Sequence, residues 1–304
     1  MKRIADNIYT ADDGRVSITP SIDVIWQTQT ADEMISLITR LFPFLVEHGV
    51  VIFNSHRYHM IISGDENDFF CDEIIDNFIF AKIKKLFITQ VSFPVRKRPV
   101  ALSFFRYDEK TQNNTELCCL TCSQNFFSDD PVILNLRLST GVEKAYENLI
   151  ELRGYIIELA RDDFFYSSIG YRFVVNVKNV NSGIKTMENM CMRYLGVDLD
   201  DVFSLHTPLW FRHIRTINWE TTVNIGIVSG GTVNEIKHWR TGSAPSLCDR
   251  NSGQFQSICE YKAKHVKLKP IIYTADNLSW LSEWPVETYS RWSNRWNEIN
   301  ITTF

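Results

Sequence analysis

The sequence is short of several things. No apolar run approaches the ~18 residues that a membrane-spanning helix needs, and the longest candidate, LFPFLVEHGVVIF at 41–53, is broken by Pro43, Glu47 and His48. Lys2 and Arg3 stand near the start, yet the roughly 7–15 apolar residues of a secretory signal do not follow them. The 7 cysteines are an odd number for a closed disulfide framework, and the chain is long enough to need none. A cytoplasmic protein with reduced thiols is therefore expected. Charge of one sign is not in excess: 32 Lys and Arg against 36 Asp and Glu leave a net −4. That balance excludes a generally basic nucleic-acid binder. Disorder is excluded by 20 Phe, 11 Tyr and 8 Trp, far too many buriable side chains. Neither low-complexity sequence nor a Pro/Gly/Ser linker marks a domain boundary.

Catalytic constellations are also scarce. Cys118, Cys119 and Cys122 form CCLTC, which contains one CxxC, but a structural zinc site normally takes four ligands, usually from two such pairs. Cys71, Cys191, Cys248 and Cys259 stand alone. On a strand, Cys118 and Cys122 share one face and Cys119 takes the other, which suits packing and not chelation. His56 and His59, three apart in HRYH, fall on opposite faces of an extended segment and have no neighbouring Glu in the HExxH manner. His213 and His238 have no GxSxG-type nucleophile beside them. SGGT (229–232) lacks the Lys of a phosphate loop and reads as a turn. No cofactor and no metal is expected.

The patterning predicts an α+β (mixed α/β) fold, a largely antiparallel sheet flanked by helices. Residues 17–28 alternate as a strand. Thr30 with Glu33 forms a capping box ahead of Met34, Ile35, Ile38, Leu41, Phe42 and Leu45 at helical spacing. Pro43 is expected to kink or shorten that helix, and VVIFN after Gly49 to be a strand. Residues 65–87 read as a helix, and 99–106 with 115–123 as a hairpin around DEKTQNN. PVILNLRLS (131–139) sets Ile133, Asn135 and Arg137 against Leu134, Leu136 and Leu138. A helix from Val142 to about Asp162 and a strand over 171–178 follow. Strand–helix–strand thus occurs twice, at 20–53 and 131–178, as two similar lobes would produce. The expected division is an N-terminal lobe, 1–130, and a core, 131–304, which together could also be one continuous domain. Near the end, Trp292 and Trp296 lie four apart on one helix face, with Trp280 and Trp284 before Pro285; such aromatics are core or top an interface.

Charge is distributed unevenly. DENDFFCDEIID (65–76) holds Asp65, Glu66, Asp68, Asp72, Glu73 and Asp76 with no Lys or Arg. On a helix, Asp65, Asp68, Asp72 and Asp76 make a stripe, while Phe70, Ile74, Ile75 and Phe78 face inward. Successive acids would rise about 6 Å per four residues, comparable to successive phosphates, so the ridge could occupy a basic cleft. Two plainer readings compete: acids at a helix start are favoured by the macrodipole, and the ridge is within reach of pairing with Lys82, Lys84, Lys85, Arg96, Lys97 and Arg98.

From residue 133 onward the pattern resembles the type VI immunity family, the antidotes encoded beside type VI secretion effectors. Four pieces carry it. ELARDDFFYSSIGYRFVV (158–175) is similar to the family segment in which a helix ends at a Gly-aromatic step and enters a strand. CMRYLGVDLDD (191–201) is similar to its Arg-Tyr-Pro-Gly-Leu-Asp step, with Leu195 in place of Pro. IRTINWETTVNI (214–225) keeps Asn218 and Trp219 of a Gly-Val-Asn-Trp-Leu-Thr strand, with Glu220 for Leu. In 241–271 the family's Gly, Pro, Gly-Asp, Tyr and Lys-Pro pattern is matched by Gly242, Pro245, Asp249, Tyr261 and Pro270, with Cys248 for the second Gly. SRWSNRW is like its closing Trp-Leu-x-Arg-Phe.

The resemblance implies a non-enzymatic antidote, cytoplasmic, that binds a cognate toxin, frequently a nuclease of the restriction-endonuclease fold. No nucleic-acid or membrane partner is implied, and the family has no catalytic residues to carry over. The expected toxin-binding residues are the acids of 65–76, with Asp198, Asp200 and Asp201 as a second candidate. The rivals are a metal-dependent hydrolase using His56 or His213, and a non-catalytic adaptor of the secretion apparatus.

Overall fold

The structure is a computed structural model, and the residues it describes are 2–5, 8–64, 68–92, 100–108, 113–124, 132–139, 146–175, 180–191, 193–194, 197–198, 220–224, 236–240, 246–247 and 249–252. They form an α+β fold. In chain order the elements are β1 (Lys2–Ala5), β2 (Ile8–Thr10), β3 (Val16–Thr28), α1 (Ala31–Glu47), β4 (Arg57–Ser63), β5 (Phe69–Ile74), α2 (Asn77–Val91) and β6 (Val100–Asp108). There follow β7 (Asn113–Gln124), β8 (Val132–Ser139), α3 (Tyr146–Leu159), β9 (Phe164–Val175), α4 (Val180–Cys191), β10 (Val197–Asp198), β11 (Glu220–Asn224) and β12 (Ile236–Arg240).

The chain divides into two compact units. The first comprises Met1–Ser21, Ser168–Val223 and Ile236–Phe304; the second, Ile22–Ser167 and Asn224–Glu235. In the second unit the strand order is β9–β3–β8–β7–β6–β4–β5. In the first it is β12–β11–β9–β3, with β2 on β3, β1 on β2 and β10 on β9. The ladders β4–β5, β4–β6, β6–β7 and β7–β8 are antiparallel, and β10 lies parallel to β9. Position 130 falls between β7 and β8, which pair within the second unit.

The first helix starts as its sequence dictates. Thr30 Oγ1 accepts from the Glu33 N–H at 3.2 Å, and the Glu33 carboxylate accepts from the Thr30 N–H at 3.0 Å, a reciprocal cap of about 1 kcal/mol. Pro43 does not shorten α1, which continues to Glu47. A proline here leaves the carbonyl four residues back without its helical donor; that carbonyl, Thr39 O, accepts instead from Lys84 Nζ of α2 at 3.3 Å. Burial of Phe42, Phe44 and Leu45 holds the turn around the proline in place.

Both α1 and α2 pack on one face of the sheet through aromatic rings. Phe42 lies 5.2 Å from Phe80 and 6.4 Å from Phe87, and Phe80 lies 6.3 Å from Phe104 of β6. Tyr58, Met60, Leu102, Cys118, Leu120, Cys122 and Leu136 complete that core. Cys118 and Cys122 thus sit inside, as strand alternation predicts, and Cys119 is on the opposite face near Ser103 Oγ (3.3 Å) and Thr121 Oγ1 (3.6 Å).

Two local expectations are corrected. VVIFN is a loop, not a strand: Gly49 and Asn54 adopt φ +67° and +54°, the N–H groups of Val50 and Val51 both return to Leu45 O, and β4 begins only at Arg57. Left-handed residues at both ends of a short apolar run deny it the extended backbone that its composition favours. The Gly170–Tyr171 step lies inside β9, which starts at Phe164, so the preceding helix ends well before it. His213, SGGT and the Trp280–Trp296 cluster lie outside the described residues.

Candidate protein-interaction site

The acidic segment is not one helix. Asp65 and Glu66 lie outside the described residues; Asp68 precedes a strand, β5, which runs to Ile74; and α2 starts only at Asn77. The stripe of acids therefore does not form. Asp76 is the N-cap, its carboxylate accepting from the Ile79 N–H at 2.8 Å. A short polar side chain at this position takes one of the helix's orphan donors, so Asp76 is committed to the fold. Asp198 falls in β10, with its backbone in register with Arg172; Asp200 and Asp201 lie outside the described residues.

Strand geometry also reverses the expected faces. Along β5 side chains alternate, so Phe70, Asp72 and Ile74 share one face and Phe69, Cys71 and Glu73 the other. Phe70 and Ile74, expected inside, are 59% and 55% exposed, and Phe78 in the first turn of α2 is 78% exposed; only Ile75 is buried as expected. β5 ends the strand order of its unit, pairing with β4 alone among the described residues.

Cross-strand register assembles the surface. Ile61 of β4 stands opposite Phe70, His59 opposite Asp72 and Arg57 opposite Ile74. Arg57 Nε donates diagonally to Asp72 at 2.7 Å, both groups half-exposed, where such a pair contributes ~0–1 kcal/mol. The His59 ring lies 6.2 Å from that of Phe105. On the reverse face Lys82 sits 5.8 Å above the Phe69 ring. Burial, aided by the charge of Glu73, pushes the Cys71 thiol up, which keeps it protonated and a poor nucleophile or metal ligand. Of the anticipated basic partners, Arg96, Lys97 and Arg98 lie outside the described residues; the partner that Asp72 finds is Arg57.

The rung through Phe70 can be followed inward. Ile61 pairs with both Phe70 and Ser103, Ser103 with Cys119, and Cys119 with Arg137 of β8. Exposure falls along it from 59% at Phe70 to 5% at Cys119 and 2% at Arg137. Arg137 donates to Asp23 of β3 at 3.0 Å, and both are buried. Asn135 and Thr121 on the same face are buried too.

The arrangement at β5 offers apolar anchors near carboxylates, on a strand whose outer edge no described residue pairs. Exposed large apolar side chains with charged neighbours are the usual composition of a protein-binding surface. Elsewhere, in the first unit, His238 Nδ1 lies 3.0 Å from Thr222 Oγ1 and 3.8 Å from the buried Glu220. Among the described residues no three His, Cys, Asp or Glu are grouped to hold a metal ion, and no helix is long and apolar enough to cross a membrane.

No protein-family model matches the sequence, and no curated protein matches it. Among solved structures, the fold is similar to that of a T6SS protein of Pseudomonas aeruginosa, PA0821. The TM-score is 0.53 at 11% sequence identity, covering 95% of this chain and 92% of that one.

Proposed function

We propose that this chain is a non-catalytic immunity protein that binds a cognate type VI secretion effector toxin, a nuclease, and neutralises it by occluding its DNA-binding cleft. The observation that carries the reading is the β5 surface, where Phe70, Ile74 and Phe78 stand exposed near Asp68 and Asp72. Two further points support it. The sequence resembles the type VI immunity family over its second half, and the fold is similar to that of a protein whose name places it in a type VI secretion system.

The physics assigns the parts. The carboxylates attract the basic surface of a DNA-cleaving enzyme, raising the association rate and excluding wrong partners. The apolar side chains, once desolvated, hold the complex. Asp76 is left out, because its carboxylate caps α2. A DNase acts where the chromosome is, so its antidote works in the cytoplasm.

Co-expression with the toxin encoded beside it tests the reading. Cells carrying the wild-type chain should grow. Reversing Asp68 and Asp72 to Lys should slow association by at least about tenfold, as expected for a steered encounter, and lower protection. Full protection and an unchanged association rate in that variant would remove β5 from the interface. Failure of the wild type to rescue growth would remove the immunity reading altogether.

A further inference from the structure

A second feature of the same unit is not used by that reading. Between the loop after α1, the ends of β6, β7 and β8, and the face of α3 lies a cleft of about 400 Å³, within the usual range for small-molecule sites. Its floor is apolar: Tyr58, Leu117, Leu138 and Leu149 are all buried. One wall is aromatic, the His48 ring lying 5.0 Å from Tyr155 and 4.2 Å from Phe44.

That wall is fixed. The buried Tyr58 hydroxyl accepts from the Ile52 N–H at 2.9 Å and donates to Ile52 O at 3.4 Å. The Asn54 N–H reaches Ile75 O at 2.9 Å. The loop is therefore tied to Tyr58 of β4 and to Ile75 just after β5.

Arg106 of β6 lines this cleft, half-buried, and among the described residues nothing accepts a hydrogen bond from it or pairs with it as a carboxylate. Among the described residues the acid in the lining is Glu151, which is exposed on α3 and accepts from the Tyr155 hydroxyl at 3.1 Å. A half-buried guanidinium over an apolar floor carries a desolvation cost that an anion would relieve. Asn148 and Leu149 of α3 line the same place. Among the described residues one guanidinium lines the cleft and Glu151 repels further negative charge, so a single carboxylate fits better than a phosphate dianion.

We infer that the cleft binds a small organic monocarboxylate, its carboxylate paired with Arg106 and its apolar body on Leu117, Leu138 and Leu149 beside Tyr155. Titration of the full chain with benzoate and hexanoate, against benzyl alcohol and 1-hexanol as neutral isosteres, followed by calorimetry and saturation-transfer NMR, tests this. The acids should bind about tenfold or more tighter than the alcohols, the scale of a charge-assisted hydrogen bond. Arg106→Gln should erase that difference while leaving the alcohols unchanged, and Tyr155→Ala should weaken acids and alcohols together. Wild-type protein that binds no carboxylate, or binds acid and alcohol equally, overturns the inference even if the variants do not fold. So does a folded Arg106→Gln protein that still prefers the acids.

Discussion

One rung of the sheet, from Phe70 through Ile61, Ser103 and Cys119 to Arg137, has its apolar end in water and its charged end in the interior. Ordinary partitioning would place them the other way. At the buried end the exception is compensated, because Arg137 meets Asp23 at 3.0 Å and the pair goes inside together. At the exposed end no described residue covers Phe70, Ile74 or Phe78. Compensation at one end and its lack at the other separate a part that serves the fold from a part available to a partner.

The largest expected effect is at the buried end. Asp23→Ala removes the Asp23 carboxylate from Arg137 and should cost about 3 kcal/mol or more, read as a lowered midpoint in urea. The paired change Asp23→Leu with Arg137→Met removes both charges and should recover most of that loss. If the single and paired variants are equally unstable, the ion pair is not what makes burial tolerable there. An intermediate effect lies between the two ends: Asp76→Ala removes the cap of α2 and should cost about 1 kcal/mol without slowing toxin association. The smallest effect on stability belongs to the exposed end. Phe70→Ser should shift unfolding by no more than about 0.5 kcal/mol while weakening toxin binding. A large destabilisation there would mean that Phe70 belongs to the core after all.

The misreading of 65–76 has a physical origin. Asp68, Asp72 and Asp76 are four apart, as are Phe70, Ile74 and Phe78, and four is both a multiple of the strand period and close to one helical turn. The spacing fits either structure, and the two place opposite residues inside. What could have separated them was Asp76 itself, a capping residue directly before the apolar run NFIFAKIKKLF. The same kind of signal at Thr30 and Glu33 was legible, because nothing ahead of it imitated a helix. β6 and β7 were likewise readable from their own residues. The Asp23–Arg137 pair and the cleft beside Arg106 were not, since their members come together only when distant strands pair. Local composition carries no record of such meetings.

Pro43 and Lys84 belong to different helices and are joined by a single carbonyl, that of Thr39. Lys84 supplies Thr39 O with a donor at the place where Pro43 has none to give. The two positions should therefore change together among relatives of this chain, and their covariation would record how a break in one helix became a tether to its neighbour.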